Sequence, residues 1–417
     1  MRLPRLAADT TPLRASRDLR LLIAGNVVSG LGTQAALVAL PYQLYVQTRS
    51  PFLTGLLGAV ELVPLVSMAL FGGALADRHD RRRLLLADQV ALVATAGLLA
   101  AGAFLGSPPI VFLYVLGGLL AGFGAVQNVV RSAIIPNLVA PELVNPAIAL
   151  HFGLNQLTYV IGPGLGGIVI GVAGVGAAYA LDAVSCLAMV AAAAAMAPQP
   201  PLGRAGEERL PVLRSIAEGL RFVRGNQALL GSFAIDLLAM TFGMPRALFA
   251  VLSVSVYHAG AEGAGLLYAS VAAGATVGAL TTGWLGHARR LGLVTIWAVT
   301  VWGAAIALAG LVPSMWPAAA LLAIAGAADS VSAVCRSAIN QGVTPDRLRG
   351  RMSSVFMLVV ASGPRLGDVE AGTVAALGGA RFSIASGGVA CLAGVGLVLV
   401  AFPALRRYDA RERVPVA

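Results

Sequence analysis

Eight ionisable residues stand inside otherwise apolar stretches of this 417-residue chain: the acids Glu61, Asp182, Asp236, Asp329, Asp368 and Glu370, and the bases Arg246 and Arg365. A charge in hydrocarbon is costly, so such residues are paired or functional. Six acids against two bases leave a surplus of four carboxylates. A carboxylate in low-dielectric surroundings without a cation binds a proton near neutral pH. The chemistry these residues could do is therefore proton uptake and release. At about 1.5 Å per helical residue, Asp236 and Asp329 fall near the middle of their apolar stretches; a structural bond between helices is the alternative for each. Glu61 lies in the outer half of its stretch, close to Pro64. Arg365 and Asp368 are three residues apart on one helical face, so an internal ion pair competes with a functional role. Asp182 and Glu370 lie nearer an outer surface, where solvation would suffice. Neutral polar residues complete the set: Asn26, Gln34, Gln127, Asn128, His151, Asn155 and Gln156. Hydrogen bonds between helices are the simplest role for the amides, and His151, near a helix end, fits a structural histidine.

The elements that position these residues are membrane spans. The chain is 58% hydrophobic and 12% charged, with a mean hydropathy of +0.83, far from the composition of a soluble domain. Twelve apolar stretches of spanning length run over about 19–45, 54–76, 84–105, 110–135, 146–171, 174–197, 227–256, 263–285, 291–311, 317–341, 351–378 and 382–403. Turn formers such as Ser107-Pro108-Pro109 and Pro313-Ser314 mark outer loops. All 29 basic residues are Arg. Arg49 and Arg381 fall in outer loops and Arg246 and Arg365 inside spans; the others fall in segments that the positive-inside rule places in the cytoplasm, both termini included. That distribution explains the net charge of +10 without nucleic acid, which would require aromatic residues interleaved with the basic patch. The arginines ahead of the first span (Arg2, Arg5, Arg14, Arg17 and Arg20) resemble a signal peptide, but the apolar stretch is too long for one, and it reads as a retained first span.

Residues 198–226 interrupt the pattern. The segment opens on Pro198-Gln199-Pro200-Pro201, carries Arg204, Glu207, Glu208 and Arg209, and then turns amphipathic, with Leu210, Leu213, Ile216, Ala217, Leu220 and Val223 opposite Arg214, Glu218, Arg221 and Arg224. It reads as a cytoplasmic linker ending in a membrane-surface helix. On either side the halves repeat. Arg131-Ser132-Ala133-Ile134 returns as Arg336-Ser337-Ala338-Ile339. Pro141-Glu142 returns loosely as Pro345-Asp346. Gly162-Pro163-Gly164-Leu165-Gly166 returns as Gly363-Pro364-Arg365-Leu366-Gly367. Three matches in one order, with spans four and five in register with ten and eleven, indicate a parallel two-bundle repeat. Cys186, Cys335 and Cys391 stand singly in apolar spans with no metal or redox spacing, and no nucleotide-binding, metalloprotease or serine-nucleophile motif occurs. No enzyme activity, cofactor or metal is expected.

Between the second and third spans lies a burst of charge, Gly73-Ala74-Leu75-Ala76-Asp77-Arg78-His79-Asp80-Arg81-Arg82-Arg83. Its Gly-x-x-x-Asp-Arg-x-x-Arg-Arg-Arg spacing resembles the signature loop of the major facilitator superfamily, with Asp80 where that superfamily often has Gly, a departure that puts the tight turn in question. Gly283-Trp284-Leu285-Gly286-His287-Ala288-Arg289-Arg290 resembles a worn second copy. Gly162-Pro163-Gly164-Leu165-Gly166-Gly167 is similar to the fifth-span signature of the superfamily's antiporters, with Thr158 in place of an upstream glycine. Together with Arg131-Ser132-Ala133 and Pro141-Glu142-Leu143, the loop looks most like the enterobactin-exporter and macrolide-efflux branch.

The resemblance implies an all-α membrane protein, twelve transmembrane helices in two six-helix bundles, the major facilitator fold. The bundles would be 1–197 and 227–417, joined by the 198–226 linker. It implies proton-driven export of a siderophore, drug or natural product; an uptake permease, a lipid flippase or a non-transporting sensor are the alternatives. Its partners would be the bilayer, a small-molecule substrate and protons, and it would act as a monomer in a bacterial cell membrane. Gly73, Asp77, Arg78, Arg81, Arg82 and Arg131 would form a conformational latch, with Asp77 held by Arg131 or by the N-terminus of the eleventh span. Gly162, Pro163, Gly166 and Gly167 would kink the fifth span. Asp236, Asp329 and, in reserve, Glu61 would carry the coupling proton. Asn26, Gln34, Gln127, Asn155, Arg246 and Arg365 would line the substrate cavity.

Overall fold

The computed structural model describes residues 10–201, 212–345 and 348–409. Most of the linker's leading half, Arg204 to Leu210 included, and Asp346 of the repeated motif lie outside the described residues, as does the side chain of His287. Among the described residues, ten helices are long and apolar enough to cross a bilayer. One of them, Val144–Ala195, turns at Gly174, where φ is +83°, a conformation glycine adopts without penalty. It therefore supplies two spans. Arg349–Gly378 has spanning length and is not among the ten; with it the described spans number twelve.

In chain order the spans are α1 (Arg17–Thr48), α2 (Pro51–Ala76), α3 (Arg81–Phe104), α4 (Ile110–Leu138), α5 (144–173), α6 (175–195), α7 (Gln227–Val256), α8 (Gly260–Leu280), α9 (Leu291–Leu311), α10 (Met315–Val343), α11 (Arg349–Gly378) and α12 (Ala380–Ala401). Large apolar side chains stand exposed on their outer faces, among them Val63, Phe71, Val172, Leu377 and Val400. Surface of that kind is tolerated where lipid covers it. α7 is not continuous: it breaks at Met244 and Pro245 and ends in a π turn over Leu252–Val256. Proline removes a backbone donor and frees a carbonyl, which fits a break at this position. Asn226 starts α7, its side chain accepting from the amides of Ala228 and Leu229 at 3.1 Å each. The amphipathic helix Val212–Gly225 precedes it and packs on the first turns of α11, where Gly219 sits beside Val355 and Arg351 pairs with Glu218.

The chain divides into two compact units, one of residues 1–40 and 63–207, the other of 41–62 and 208–417. The far ends of α1 and α2, with the turn joining them, thus group with the second unit. The first unit is cored by Leu19, Leu85, Val130, Ile134 and Met189. The second is cored by Leu229, Leu248, Trp302, Leu322 and Ile339. The repeat is visible in both. In the first, a Cβ added at Gly166 of α5 would lie 2.6 Å from Ala35 Cα of α1; in the second, one added at the matching Gly367 of α11 would press on the backbone of Met240 and Thr241 of α7. Small residues let each pair of helices cross closely.

Candidate functional site

In the second unit the repeated arginine, Arg336, is a buried hub rather than a residue at a helix end. It lies on α10 two turns beyond Asp329, with Ser332 between them on the same face. Its Nε donates to Ser332 Oγ at 3.1 Å, its Nη2 reaches Asp329 Oδ1 at 3.4 Å, and its Nη1 pairs with Asp236 of α7. Both sequence-derived proton candidates therefore meet on one cation. Their surroundings differ: the Asp329 side chain is 33% exposed and that of Asp236 4%. One guanidinium cannot neutralise two carboxylates. The triad is charge-balanced when one of the two carboxylates is protonated, and Asp329 is the more exposed of the two.

A second group lies where α11 meets the grouped end of α2. Arg365 Nε contacts Glu61 Oε2 at 2.9 Å. Asp368 is not the partner of Arg365 by direct contact; it accepts the amide of Ala247 at 2.9 Å, just past the break in α7. The Arg246 carbonyl at that break accepts the Tyr268 hydroxyl at 2.9 Å. Backbone groups freed by the break are thus satisfied by side chains, as a low-dielectric setting demands. The charge of Arg246 acts on Glu61, Asp329 and Asp368, which links this group to the triad.

In the first unit, Arg131 is 6% exposed and bonds to Asn26 of α1 and, at 3.1 Å, to Ser29 Oγ. Asn26 in turn donates to Asn155 Oδ1 of α5 at 3.1 Å. Gln34 is buried against Gly162, and Gln127 is buried one turn from Arg131. Asp182 is buried and accepts from Thr33 at 3.0 Å, which replaces the expectation of a solvated residue. Burial of Arg131 and Arg336 also corrects the sequence count of two intramembrane bases, and buried Asp88 adds an acid the count omitted.

In the charged loop several side chains reach the neighbouring helices. Arg131 bonds to Asn26 and Ser29, well inside the helices, and not to Asp77, which is exposed along with Arg78. Asp80, where the signature departs from its usual Gly, is the organising residue. It caps α3 through the amide of Arg83 at 3.1 Å and accepts the amide of Gln199 at 3.1 Å. Arg81 reaches the Ala133 carbonyl at 2.7 Å and Asn137 Oδ1 at 3.1 Å on α4, and Arg82 reaches the carbonyls of Ala193 and Ala194 on α6. Arginines at helix C-termini satisfy the last carbonyls and the negative dipole end. Gly73, beside these bonds, has Val129 as its neighbour. Gly162, Pro163, Gly166 and Gly167 are all buried on the α5 face.

A family model described as "transmembrane secretion effector" matches residues 7–417. The chain belongs to this family of the major facilitator superfamily. It is 32% identical over 372 residues to the enterobactin exporter EntS of Citrobacter koseri, covering 87% of this chain and 85% of that one. It is 31% identical over 380 residues to the same-named protein of Shigella boydii serotype 4, covering 89% and 88%. Among solved structures, a bacterial homolog of the human lysosomal transporter Spinster superposes with a TM-score of 0.70 at 15% identity, over 96% of this chain and 98% of that one. A bacterial homologue of the iron transporter ferroportin gives 0.69 at 17% identity, over 94% and 98%. These likenesses establish the fold. As a member of the secretion effector family, the chain is a multi-pass membrane transporter of the efflux kind and not an enzyme.

Proposed function

We propose that this transporter exports a small molecule by proton antiport with alternating access, a siderophore being the first choice of cargo because relatives in Citrobacter koseri and Shigella boydii are named enterobactin exporters. The observation that carries the coupling is Arg336 shared by Asp236 and Asp329, with Asp329 part-exposed. A proton entering through Asp329 balances the triad. Its loss leaves one carboxylate charge in excess, which favours rehydration of the site or approach of a compensating group. Glu61 is held in reserve because Arg365 already matches it one to one. Asn26, Gln34, Gln127, Asn155, Arg246 and Arg365 remain the proposed cavity lining. The charged loop is proposed to face the cytoplasm together with both termini, and the working halves to be 1–197 and 227–417. In the loop, Arg81 and Arg82 tie α3 to α4 and α6, and Gly73, Asp77, Arg78 and Arg131 remain the other members of the proposed latch, whose bonds change over the cycle. Gradient-driven enterobactin flux in proteoliposomes, wild type against Asp236→Asn and Asp329→Asn, tests the reading.

A further inference from the structure

The polar atoms that the helices leave unpaired are not scattered. Among the described residues, ten buried side-chain nitrogens and oxygens have no hydrogen-bond partner; two of them, on Arg336 and Arg365, are in ion pairs with Asp236 and Glu61, and five belong to Asp88, Gln89, Gln127, Arg131 and His151 of the first unit. Asp88 and Gln89 lie two turns into α3 and are 4% and 0% exposed. Gln127 and Arg131 lie one turn apart on α4. The unpaired atoms are two acceptors, Asp88 Oδ1 and Gln89 Oε1; two donors, Gln127 Nε2 and Arg131 Nε; and His151 Nδ1. The charge of Arg131 acts on both Asp88 and His151, which makes it the centre of the group.

Asp88 is a buried acid with little to satisfy it. Its Oδ2 receives one long bond, from Gln89 Nε2 at 3.4 Å, and its Oδ1 receives none. An unpaired buried carboxylate oxygen costs the desolvation of a charged group. α3 packs on α4, whose titratable side chains are Tyr114 and Arg131, and on the Val144–Ala195 helix that supplies α5 and α6, whose titratable side chains are His151, Tyr159, Tyr179, Asp182 and Cys186. Asp182 is bonded to Thr33 of α1 and is contacted by Cys186. Arg131 is the one whose charge acts on Asp88, yet its hydrogen bonds go to neutral atoms of Asn26 and Ser29.

The repeat sharpens the contrast. Each repeated arginine meets the first helix of its half: Arg336 meets Asp236 on α7, and Arg131 meets Asn26 on α1. The second unit places its acids on the first and fourth helices of the half, in contact with the arginine. The first unit has a neutral amide at the first of those places and supplies its acid from the third helix instead. We infer that Asp88 is a second proton-binding site, in the first unit, paired with Arg131 and separate from the Asp236–Asp329 site of the second. A proton on Oδ1 turns an unpaired acceptor into a donor and removes the buried charge. The inference rests on the reading of the chain as a proton antiporter and adds one site to it.

The test uses the full chain in liposomes and the proton as the only ligand. Infrared difference spectra across a pH step record the carbonyl stretch of protonated carboxylic acids. Asp88→Asn should lose one component of the wild-type difference band, Asp88→Glu should keep it at a displaced position, and an Asp236→Asn/Asp329→Asn double variant should lose a different component while retaining that of Asp88. A difference band unchanged in both Asp88→Asn and Asp88→Glu overturns the second site and leaves the antiport reading standing. If the double variant matches wild type while Asp88→Asn loses its component, the triad reading falls and the Asp88 site stands. Should Asp88→Asn not assemble, Asp88→Glu decides alone: a displaced component supports the site and an undisplaced band overturns it.

Discussion

Asp80 shows how much one side chain can carry at a helix entrance. One carboxylate oxygen caps α3 and the other holds the chain at Gln199. From the sequence, Asp80 stands out only as a departure from a glycine pattern, and its value as a cap follows from its place just ahead of a helix. Asp80→Ala should lower stability by about 1 kcal/mol, the usual cost of a lost N-cap, and Asp80→Asn, which can still accept from the Arg83 amide, should recover most of it; thermal unfolding of the purified protein measures both. The acids of the site were legible by type and depth, because a carboxylate in an apolar run is conspicuous. Their partners were not. Arg131 and Arg336 each open a polar-looking stretch near the end of a span, so the sequence assigns them to the aqueous side. In the structure they are 6% and 5% exposed, which puts both guanidinium groups inside. Asp88 escaped for the same reason, lying soon after the triple arginine of the loop. Which residue meets which across helices is a property of packing, and no periodicity in one helix reports it.

At the scale of the element, the repeated Gly-Pro motif was legible as a close-crossing segment, and the structure names its neighbours. Gly166 has Ala35 of α1 where a side chain would go, and Gly164, on another face of the same helix, has nothing within 4 Å. Gly166→Ala should therefore cost about 1–3 kcal/mol as overpacking against a backbone that cannot yield, while Gly164→Ala should be neutral or slightly stabilising. Yield of monodisperse protein and its unfolding temperature distinguish the two. Helix breaks were legible only in part. The sequence placed a gap between the fifth and sixth spans, and the structure turns there at Gly174 without interrupting the run of helix. In the seventh span no interruption is legible from hydropathy, although Met244 and Pro245 break it. One proline in an apolar run can kink or break a helix, and the outcome depends on whether a neighbour such as Asp368 supplies the lost bond.

For the whole molecule, hydropathy and arginine placement made the fold readable, because a bilayer admits so few ways to satisfy a backbone. The proposed orientation makes a simple forecast. In a variant lacking the three buried cysteines, a cysteine at Arg49 should react with an impermeant maleimide applied to intact cells, and one at Arg83 should react only after the cells are opened; labelling of position 83 from outside would reverse the topology. The transport claim is tested most directly by gradient-driven flux. Proteoliposomes carrying the full chain are given an imposed pH gradient, and enterobactin movement against the proton flow is followed. The account predicts gradient-driven transport in the wild type, abolished by collapsing the gradient and by Asp236→Asn or Asp329→Asn, with enterobactin exchange at equal pH retained in at least one of these variants. Wild-type transport that ignores the gradient, or undiminished coupling in both variants, would contradict it.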